Sequence, residues 1–175
     1  MKPRGFWVLF LASISLALSC PAASAQVRSA RSCNVTVDIV DNDPQGTHVR
    51  AAPAGAIAAT LRAPGEAWIE AHVLGQREDW FEIDRADLID PGVGERPIFR
   101  GHGWLHRSVI GVSGMQNGGE IYSDHDEKSA PVDPHAAGDQ NVVVLGCWGH
   151  FLQVKVAKGT GWTLQACLNM VTTCV

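Results

Sequence analysis

A short glycine–tryptophan pattern occurs twice in the chain and limits the fold more than any other feature. Residues 101–106 read Gly-His-Gly-Trp-Leu-His, and residues 159–164 read Gly-Thr-Gly-Trp-Thr-Leu. An alternating aromatic and apolar segment precedes each copy, at 80–83 and at 151–154. Alternation with period two is typical of a half-buried strand, and glycine marks the turn that follows. The repeat therefore predicts one small β-barrel built twice.

The amino terminus has the features of a cleaved signal peptide. Lys2 and Arg4 precede an apolar run from Phe6 to Leu18, and Ala23-Ser24-Ala25 has the small residues of a cleavage site. The run is shorter than the roughly 20 residues that a membrane-spanning helix needs. We therefore expect removal of residues 1–25, a periplasmic or secreted protein, and no membrane insertion after cleavage.

Cys20 offers an alternative in which the exported chain is lipid-anchored. The preceding residues, Ala17-Leu18-Ser19, lack the large aliphatic side chain that usually stands three places before a lipidated cysteine. Cleavage after Ala25 is therefore the favoured interpretation, and a lipid on Cys20 is the alternative to it.

The charge of the mature chain argues against two classes of partner. Loss of Lys2 and Arg4 changes the formal net charge from −4 to −6, and the remaining basic residues are scattered singly. A nucleic-acid ligand needs several phosphates neutralised on one face, and an anionic membrane surface attracts basic clusters. We expect neither nucleic acid nor a membrane surface as the partner.

Four cysteines remain after cleavage, namely Cys33, Cys147, Cys167 and Cys174. An even number in an exported chain predicts two disulfides, for which three connectivities are possible. The short spacing favours Cys167–Cys174 and leaves Cys33 with Cys147. That second bridge would tie the first repeat to the second and, in the chain-entropy description, contribute on the order of 4 kcal/mol.

The rest of the chain predicts an all-β fold. Short alternating or apolar segments are separated by turns rich in Gly, Pro, Asn and Asp, and helical periodicity never extends beyond two turns. Such a pattern is typical of a sandwich or barrel. The proline- and glycine-containing segments Asp84–Arg100 and Ser123–Asp139 are predicted to be surface loops.

The chain resembles the bacterial SH3-like (SH3b) domains of exported proteins. The resemblance lies in Thr47–Gly55, which contains Val-Arg-Ala-Ala-Pro, in Asp79–Ile83, and in Gly103–Ser108. His48 stands where the family usually has Asn. The second copy keeps Gly161-Trp162 and the strand before it, but lacks the Val-Arg-x-x-Pro signature.

This resemblance implies two small SH3-like β-barrels in tandem after the signal peptide. The first would span residues 33–112 and the second, more divergent one residues 113–175. Members of this family commonly bind cell-wall peptides or serve as accessory modules, so the resemblance also implies a binding role.

Tryptophans are the candidate ligand-binding residues, because a rigid indole combines a large contact area with a polar N–H. The candidates are Trp68, Trp80, Trp104 and Trp148. Trp104 also has a structural interpretation, in which it and Trp162 close the two barrels as core residues. Trp68 and Trp148 lie outside the repeated pattern and are freer to serve a ligand.

Catalytic, metal and cofactor sites are not predicted. Cys147 and His150 could form a nucleophile–base pair, but a catalytic thiol needs a base within reach and an orienting third group, and the predicted disulfide already uses Cys147. His102, His106 and the acidic segment 124–127 do not guarantee the three or four convergent donors of a zinc site. We expect no enzyme activity, no metal and no cofactor.

Two functions remain open. The favoured one is a non-catalytic binding module of the bacterial envelope, which holds a peptide or cell-wall fragment between the Trp104 turn and the Asp84–Arg100 loop. The alternative is a structural or interaction protein that binds another envelope protein. An exposed Trp68 or Trp148 beside acidic residues would favour a ligand groove, whereas an apolar patch over both units would favour a protein partner. The sequence does not predict the oligomeric state.

Overall fold

A computed structural model describes residues 31–112, 115–138 and 142–164. The predicted signal peptide, Cys20, Cys167 and Cys174 lie outside the described residues, so signal cleavage and the Cys167–Cys174 bridge remain predictions. Helices long and apolar enough to cross a membrane are absent from the described part of the chain.

The described residues fold into β-strands, which confirms the all-β prediction. Their twelve strands are β1 (Arg31–Ile39), β2 (Thr47–Arg50), β3 (Ile57–Leu61), β4 (Trp68–Arg77), β5 (Trp80–Asp90), β6 (Gly94–His106), β7 (Ile110–Val112), β8 (Met115–Tyr122), β9 (Pro131–Gly138), β10 (Val142–Trp148), β11 (Phe151–Val156) and β12 (Gly159–Thr163). A single turn of 3-10 helix at Arg107–Val109 separates β6 from β7.

These strands form one sheet, and the two halves of the sheet have the same order of strands. The order is β3-β2-β6-β5-β4-β1-β7-β10-β11-β12-β8-β9, and the strand pairs are antiparallel. From one edge inward the strands are β3, β2, β6, β5, β4 and β1, and from the other edge inward they are β9, β8, β12, β11, β10 and β7. Each strand of the first half therefore corresponds to the strand numbered six higher in the second half. We call β1–β6 the first repeat and β7–β12 the second repeat.

The register of the strands shows that the repeat extends to individual residues. In the first repeat Gly75 pairs with Glu82, which pairs with Trp104. In the second repeat Gly146 pairs with Gln153, which pairs with Trp162. In both repeats the residue before this glycine has no partner in the register between the two strands. It is Leu74 in β4 and Leu145 in β10.

The turns that join these strands also match. Glu78, after β4, and Gly149, after β10, have φ angles of 55° and 54°. Such left-handed backbone is favourable for glycine and costs free energy for a residue with a Cβ atom. The first repeat therefore carries strain at a turn where the second repeat uses glycine.

Strand periodicity places one side of the sheet in the core. In β5, Phe81 and Ile83 are fully buried, whereas Trp80 and Glu82 on the opposite side are partly exposed. Side chains that succeed each other along a strand alternate between the two faces. The large fully buried side chains of both repeats belong to one hydrophobic cluster: Val37, Val49, Val73, Phe81, Ile83, Leu88, Leu105, Val112, Ile121, Val144 and Val154.

β7 connects the two repeats. It pairs with β1 through Ile39 and Ile110, and with β10 through Val112 and Val142. Because the sheet runs without a break through this strand, each repeat covers an edge of the other. The division into units 33–112 and 113–175 stays a prediction.

The Cys33–Cys147 disulfide crosses the same junction, as predicted. It joins β1 to β10 over a sequence separation of 114 residues. Beside it, the buried Gln76 accepts a hydrogen bond from the backbone N–H of Cys147 at 3.1 Å and donates to the carbonyl oxygen of Leu145 at 3.2 Å. One covalent bond and two hydrogen bonds therefore hold β10 against the first repeat.

The prediction of a surface loop is wrong for most of Asp84–Arg100 and for the second half of Ser123–Asp139. Asp84–Arg100 lies in the long β5–β6 hairpin, whose turn is confined to 91–93, and the second half of Ser123–Asp139 forms β9. Proline does not prevent these strands, because it is tolerated at bulges, strand starts and sheet edges. Pro97 adjoins an irregularity in the β5–β6 register, and Pro131 begins the edge strand β9.

Candidate functional site

The side of the sheet opposite the core carries a cluster of aromatic and charged residues in the first repeat. We call it the tryptophan–arginine face; it consists of Arg50, Arg77, Trp80, Glu82, Trp104 and His106. The register places them together, because Trp80 pairs with Arg77 on one side and with His106 on the other, while Trp104 pairs with Glu82 and Arg50. Residues directly opposite in a sheet project to the same face.

Each arginine of this face reaches towards the tryptophan that is not its neighbour. Arg77 pairs with Trp80, but its guanidinium carbon lies 5.3 Å from the ring centre of Trp104. Arg50 pairs with Trp104, and its guanidinium carbon lies 6.0 Å from the ring centre of Trp80. Both distances fall within the range of cation–π attraction, so the two cations converge over one pair of indoles.

Neighbouring contacts fix the edge of this face. The His106 ring packs edge-on against Trp80, with ring centres 5.0 Å apart. Its Nδ1 lies 2.8 Å from the Ser108 hydroxyl and accepts a hydrogen bond from the Ser108 N–H, which caps the 3-10 helix. The polar end of the face is therefore tied to the chain segment that enters β7.

The arginine charges of this face have no acidic partner among the described residues. Arg107 pairs with Asp79 at 3.3 Å and Arg100 pairs with Asp87 at 2.6 Å, but neither Arg50 nor Arg77 lies within ion-pair distance of a carboxylate. Glu82 lies 3.4 Å from the ring of His102 instead. The Arg77 Nε–H is shielded from solvent and donates to no described acceptor.

The second repeat carries an aromatic cluster at the equivalent position. Its centre is the ring of His125, 4.9 Å from the Trp148 ring and 5.3 Å from the Trp162 ring. Tyr122 pairs with Trp162 as Arg50 pairs with Trp104, and Trp148 pairs with Phe151 as Arg77 pairs with Trp80. We call these five residues the histidine–tryptophan face. Aromatic side chains occupy the positions that the arginines occupy in the first repeat.

Two titratable groups at this second face are perturbed. The backbone N–H of His125 donates to Asp124 at 2.8 Å and, with the nearby His125 ring, lowers the pKa of that carboxyl against the smaller opposing effect of shielding. The Glu120 carboxylate accepts a hydrogen bond from Tyr122 and is the main cause that raises the pKa of this phenol to about 12, with shielding and the charge of Glu127 adding to it. Tyr122 is therefore a neutral phenol at physiological pH.

Trp68 lies apart from both faces. It begins β4, pairs with Ile89 and lies at the opposite end of that strand from Arg77. Half-buried, it lines a cavity of about 410 Å³ together with Asp41 and Asp43. Its indole N–H donates to Glu70 at 3.1 Å.

The surroundings of Glu70, the hydrogen-bond partner of Trp68, raise the pKa of its carboxyl. Burial raises the pKa of Glu70, the Trp68 hydrogen bond opposes that effect, and the charges of Glu95 and Asp87 raise the pKa further. The carboxylates of Asp41 and Asp43 accept hydrogen bonds from the neighbouring turn. This cavity, which we call the acidic cavity because two carboxylates and one guanidinium, that of Arg62, line it, is a separate candidate site.

The four predicted tryptophans are thus distributed over three places. Trp80 and Trp104 share the tryptophan–arginine face, Trp148 belongs to the histidine–tryptophan face, and Trp68 lines the acidic cavity. Trp104 is only 8% exposed and Trp148 is 48% exposed, so Trp104 contributes mainly to packing and Trp148 presents its ring to solvent.

Sequence reasoning missed Arg50, Arg77 and His125 as members of these faces. Arg50 belongs to the Val-Arg signature, and Arg77 precedes Trp80 by three residues. The sequence therefore shows both arginines close to predicted strands. Their convergence depends on which strands pair and in which register, and His125 reaches Trp148 from a loop 23 positions earlier in the chain.

The alternative in which Cys147 and His150 form a nucleophile–base pair, which the sequence did not favour, has no thiol, because Cys147 is disulfide-bonded to Cys33. The thiolate is the nucleophilic form of cysteine, so this residue offers none while the bridge is intact. Groups of three or more His, Cys, Asp or Glu side chains that could hold a metal ion are not found among the described residues.

Comparison with known proteins adds no family to this description. No model of a protein family matches the chain, and a search of curated proteins finds no significant match. The assignment of a function therefore rests on the geometry of the two faces and of the acidic cavity.

Proposed function

We propose that the protein is a non-catalytic binding module of the bacterial envelope, made of two SH3-like units, that binds a peptide or cell-wall fragment on its tryptophan-bearing faces. The observation that carries this proposal is the repetition of one aromatic surface on the non-core side of the sheet. Trp80 and Trp104 of the first repeat correspond to Phe151 and Trp162 of the second, where Trp148 pairs with Phe151 and adds an exposed indole.

The exposure of the rings supports a binding role. Trp148 is 48% exposed, although its ring lies beside the His125 ring, which also lies beside the Trp162 ring. Exposed apolar surface carries a cost in water that a ligand relieves. Indoles and imidazoles stack on planar amides and on the apolar faces of sugars, which are the groups that a wall fragment presents.

The envelope location rests on the sequence of residues 1–25, and the disulfide supports it. Disulfides persist in oxidising compartments such as the periplasm and the exterior, and Cys33–Cys147 is formed in the folded chain. The SH3-like assignment of units 33–112 and 113–175 is supported by their antiparallel strands and by the motif resemblance.

A binding measurement with soluble wall fragments tests the proposal. Wild-type protein should bind fragments released from purified cell wall, and Trp148→Ala should weaken binding because it removes an exposed ring. Val93→Ala is the matched control, since Val93 is 81% exposed in the β5–β6 turn. Equal affinity of all three proteins, or no binding by the wild type, would contradict the proposal.

A second candidate function has an observation of its own. A groove of about 550 Å³ at the junction of the repeats is lined by apolar residues of β7 and β10 and by Arg107 and Lys155. Val40 and Val143 at this groove are 42% and 55% exposed, which is the kind of apolar patch across both units that favours another envelope protein as partner. Val143→Asp should abolish capture of such a partner and leave wall-fragment binding unchanged.

A further inference from the structure

We propose that Arg50 and Arg77 form a carboxylate-binding subsite above the rings of Trp80 and Trp104. The inference deepens the proposed function, on which it rests, by assigning a chemical group of the ligand to one of the two faces. The ligand would present a carboxylate to the tryptophan–arginine face and an uncharged part to the aromatic surface around it.

The first argument is the convergence of the two cations. Each guanidinium crosses to the more distant indole, at 5.3 Å for Arg77 over Trp104 and 6.0 Å for Arg50 near Trp80. Side chains that enter from β2 and from β4, on opposite sides of the tryptophan pair, therefore bring two positive charges over one patch of the sheet. Like charges that converge repel each other, and an anion between them removes that repulsion.

The second argument is the lack of a compensating acid. The acidic side chains near this patch are engaged elsewhere: Glu82 with His102 at 3.4 Å, Asp79 with Arg107 at 3.3 Å, and Asp87 with Arg100 at 2.6 Å. Arg50 donates to the carbonyl oxygen of Gly55 at 2.7 Å, which orients its guanidinium without neutralising the charge. In a mature chain with more acids than bases, two cations without an acidic partner among the described residues are available to an external anion.

The third argument is the chemistry of the donors. A guanidinium is planar and offers parallel N–H donors that match the two oxygens of a carboxylate. A flat aromatic surface beneath it excludes water, and this exclusion strengthens the charge-assisted hydrogen bonds. Deletion of a charge-assisted contact of this kind weakens binding by about 10- to 100-fold.

The second repeat provides an internal comparison. Tyr122 and Trp148 occupy the positions of Arg50 and Arg77, so the equivalent face has no cationic pair. The Glu120 and Asp124 carboxylates stand near it and oppose an anionic ligand. The carboxylate should therefore bind to the first repeat and not to the histidine–tryptophan face.

Two sources of carboxylate occur in wall fragments, namely an acidic sugar and the carboxyl terminus of a peptide. The probes are accordingly two matched pairs: N-acetylmuramic acid with N-acetylglucosamine, and acetyl-trialanine with its carboxyl-terminal amide. Binding is followed by the NMR shifts of the Trp80 and Trp104 indole N–H groups in the full-length mature protein. In at least one of the two pairs, the acid should bind at least about tenfold more tightly than its neutral partner.

Three variants locate the effect. Arg77→Gln should reduce the preference for the acid to about onefold, and Arg77→Lys should retain part of it, because a lysine keeps the charge but not the planar donor pair. Arg96→Gln, which removes an exposed arginine of β6, should leave the preference unchanged. Equal binding of acid and neutral probes by the wild type overturns the subsite, and this comparison needs no variant to fold.

The result also separates this inference from the proposed function. Tight binding of whole wall fragments with no preference for either acid overturns the subsite alone. A preference for an acid that depends on Arg77, with no binding of wall fragments, supports the subsite and overturns the cell wall as its source. An acid preference confined to the sugar pair or to the peptide pair supports the subsite and identifies the source of the carboxylate.

Discussion

Trp104 and Trp162 occupy one position of the repeat: each lies opposite a polar residue of the preceding strand, Glu82 and Gln153, and each is covered by a basic side chain. Arg77 lies over Trp104 and His125 over Trp162. The two indoles are 8% and 9% exposed, so they are the buried tryptophans of their faces, and their neighbours Trp80 and Trp148 are more exposed.

Replacement of either buried tryptophan should destabilise the protein. Trp104→Ala and Trp162→Ala should each lower the free energy of unfolding by about 2–5 kcal/mol, because a large buried side chain is lost and a cavity remains. Trp148→Ala, which removes an exposed ring, should cost less than about 1 kcal/mol. Urea denaturation followed by circular dichroism measures the stability of all three variants. A Trp104→Ala or Trp162→Ala variant as stable as the parent would contradict the claim that these two side chains stabilise the fold by burial.

The link between the repeats should contribute measurably to stability. Gln76→Ala leaves the Cys147 N–H and the Leu145 carbonyl without their side-chain partner, and a buried polar group without a partner costs about 1–3 kcal/mol. Gln45→Ala, at an exposed position in the turn after β1, is the matched control. Chemical denaturation under oxidising conditions gives the comparison; equal losses for the two variants would count against the link.

The repeats should unfold together. β7 pairs with both β1 and β10, and a bridge that closes a loop of this length contributes about 4–5 kcal/mol in the chain-entropy description. Residues 26–112 alone should remain partly folded, and residues 113–175 alone, which lack β7 and Cys33, should not fold. Calorimetry of the intact mature protein should give one transition. Two separated transitions, or a folded 113–175 fragment, would mean independent units.

Tyr122 should titrate far above the usual range of a phenol. Its hydrogen bond to the Glu120 carboxylate raises the pKa from 10.0 to about 12, and it is the single tyrosine of the chain. Since the folded-state pKa is raised, this contact stabilises the fold fully below pH 10 and is lost as the pH rises towards 12. Absorbance of the phenolate reports the midpoint directly, and Glu120→Gln should move it down towards 10.

How far the sequence predicts the structure differs between its local and its non-local features. The alternation at 80–83 and 151–154 and the Gly-Trp repeat predicted strands at these positions correctly, because the pattern depends on neighbouring residues. The two separate barrels inferred from the repeat stay a prediction, since the described strands form one sheet. Pro97 and Pro131 were interpreted as loop residues, yet a bulge and a sheet edge admit them. That context is created by strand pairing and is not visible in a local window.

The candidate site was predictable only in part for the same reason. Four tryptophans could be named from their chemistry, but their distribution over two faces and one cavity depends on the register of β4, β5 and β6. The pairing of Arg50 with Trp104 depends on a contact between residues 54 positions apart. The Cys33–Cys147 bridge was predictable, because few pairings exist for four cysteines.

The most direct test of the central claim is calorimetric titration of soluble cell-wall fragments into three proteins. These are the wild type, a Trp80→Ala/Trp148→Ala double variant that removes the more exposed tryptophan of each face, and the Val93→Ala control. A lost aromatic contact is worth about 1 kcal/mol or more, so the double variant should bind at least about tenfold more weakly, while the control matches the wild type. Equal affinities of the wild type and a folded double variant would contradict the claim that the two tryptophan-bearing faces bind the ligand.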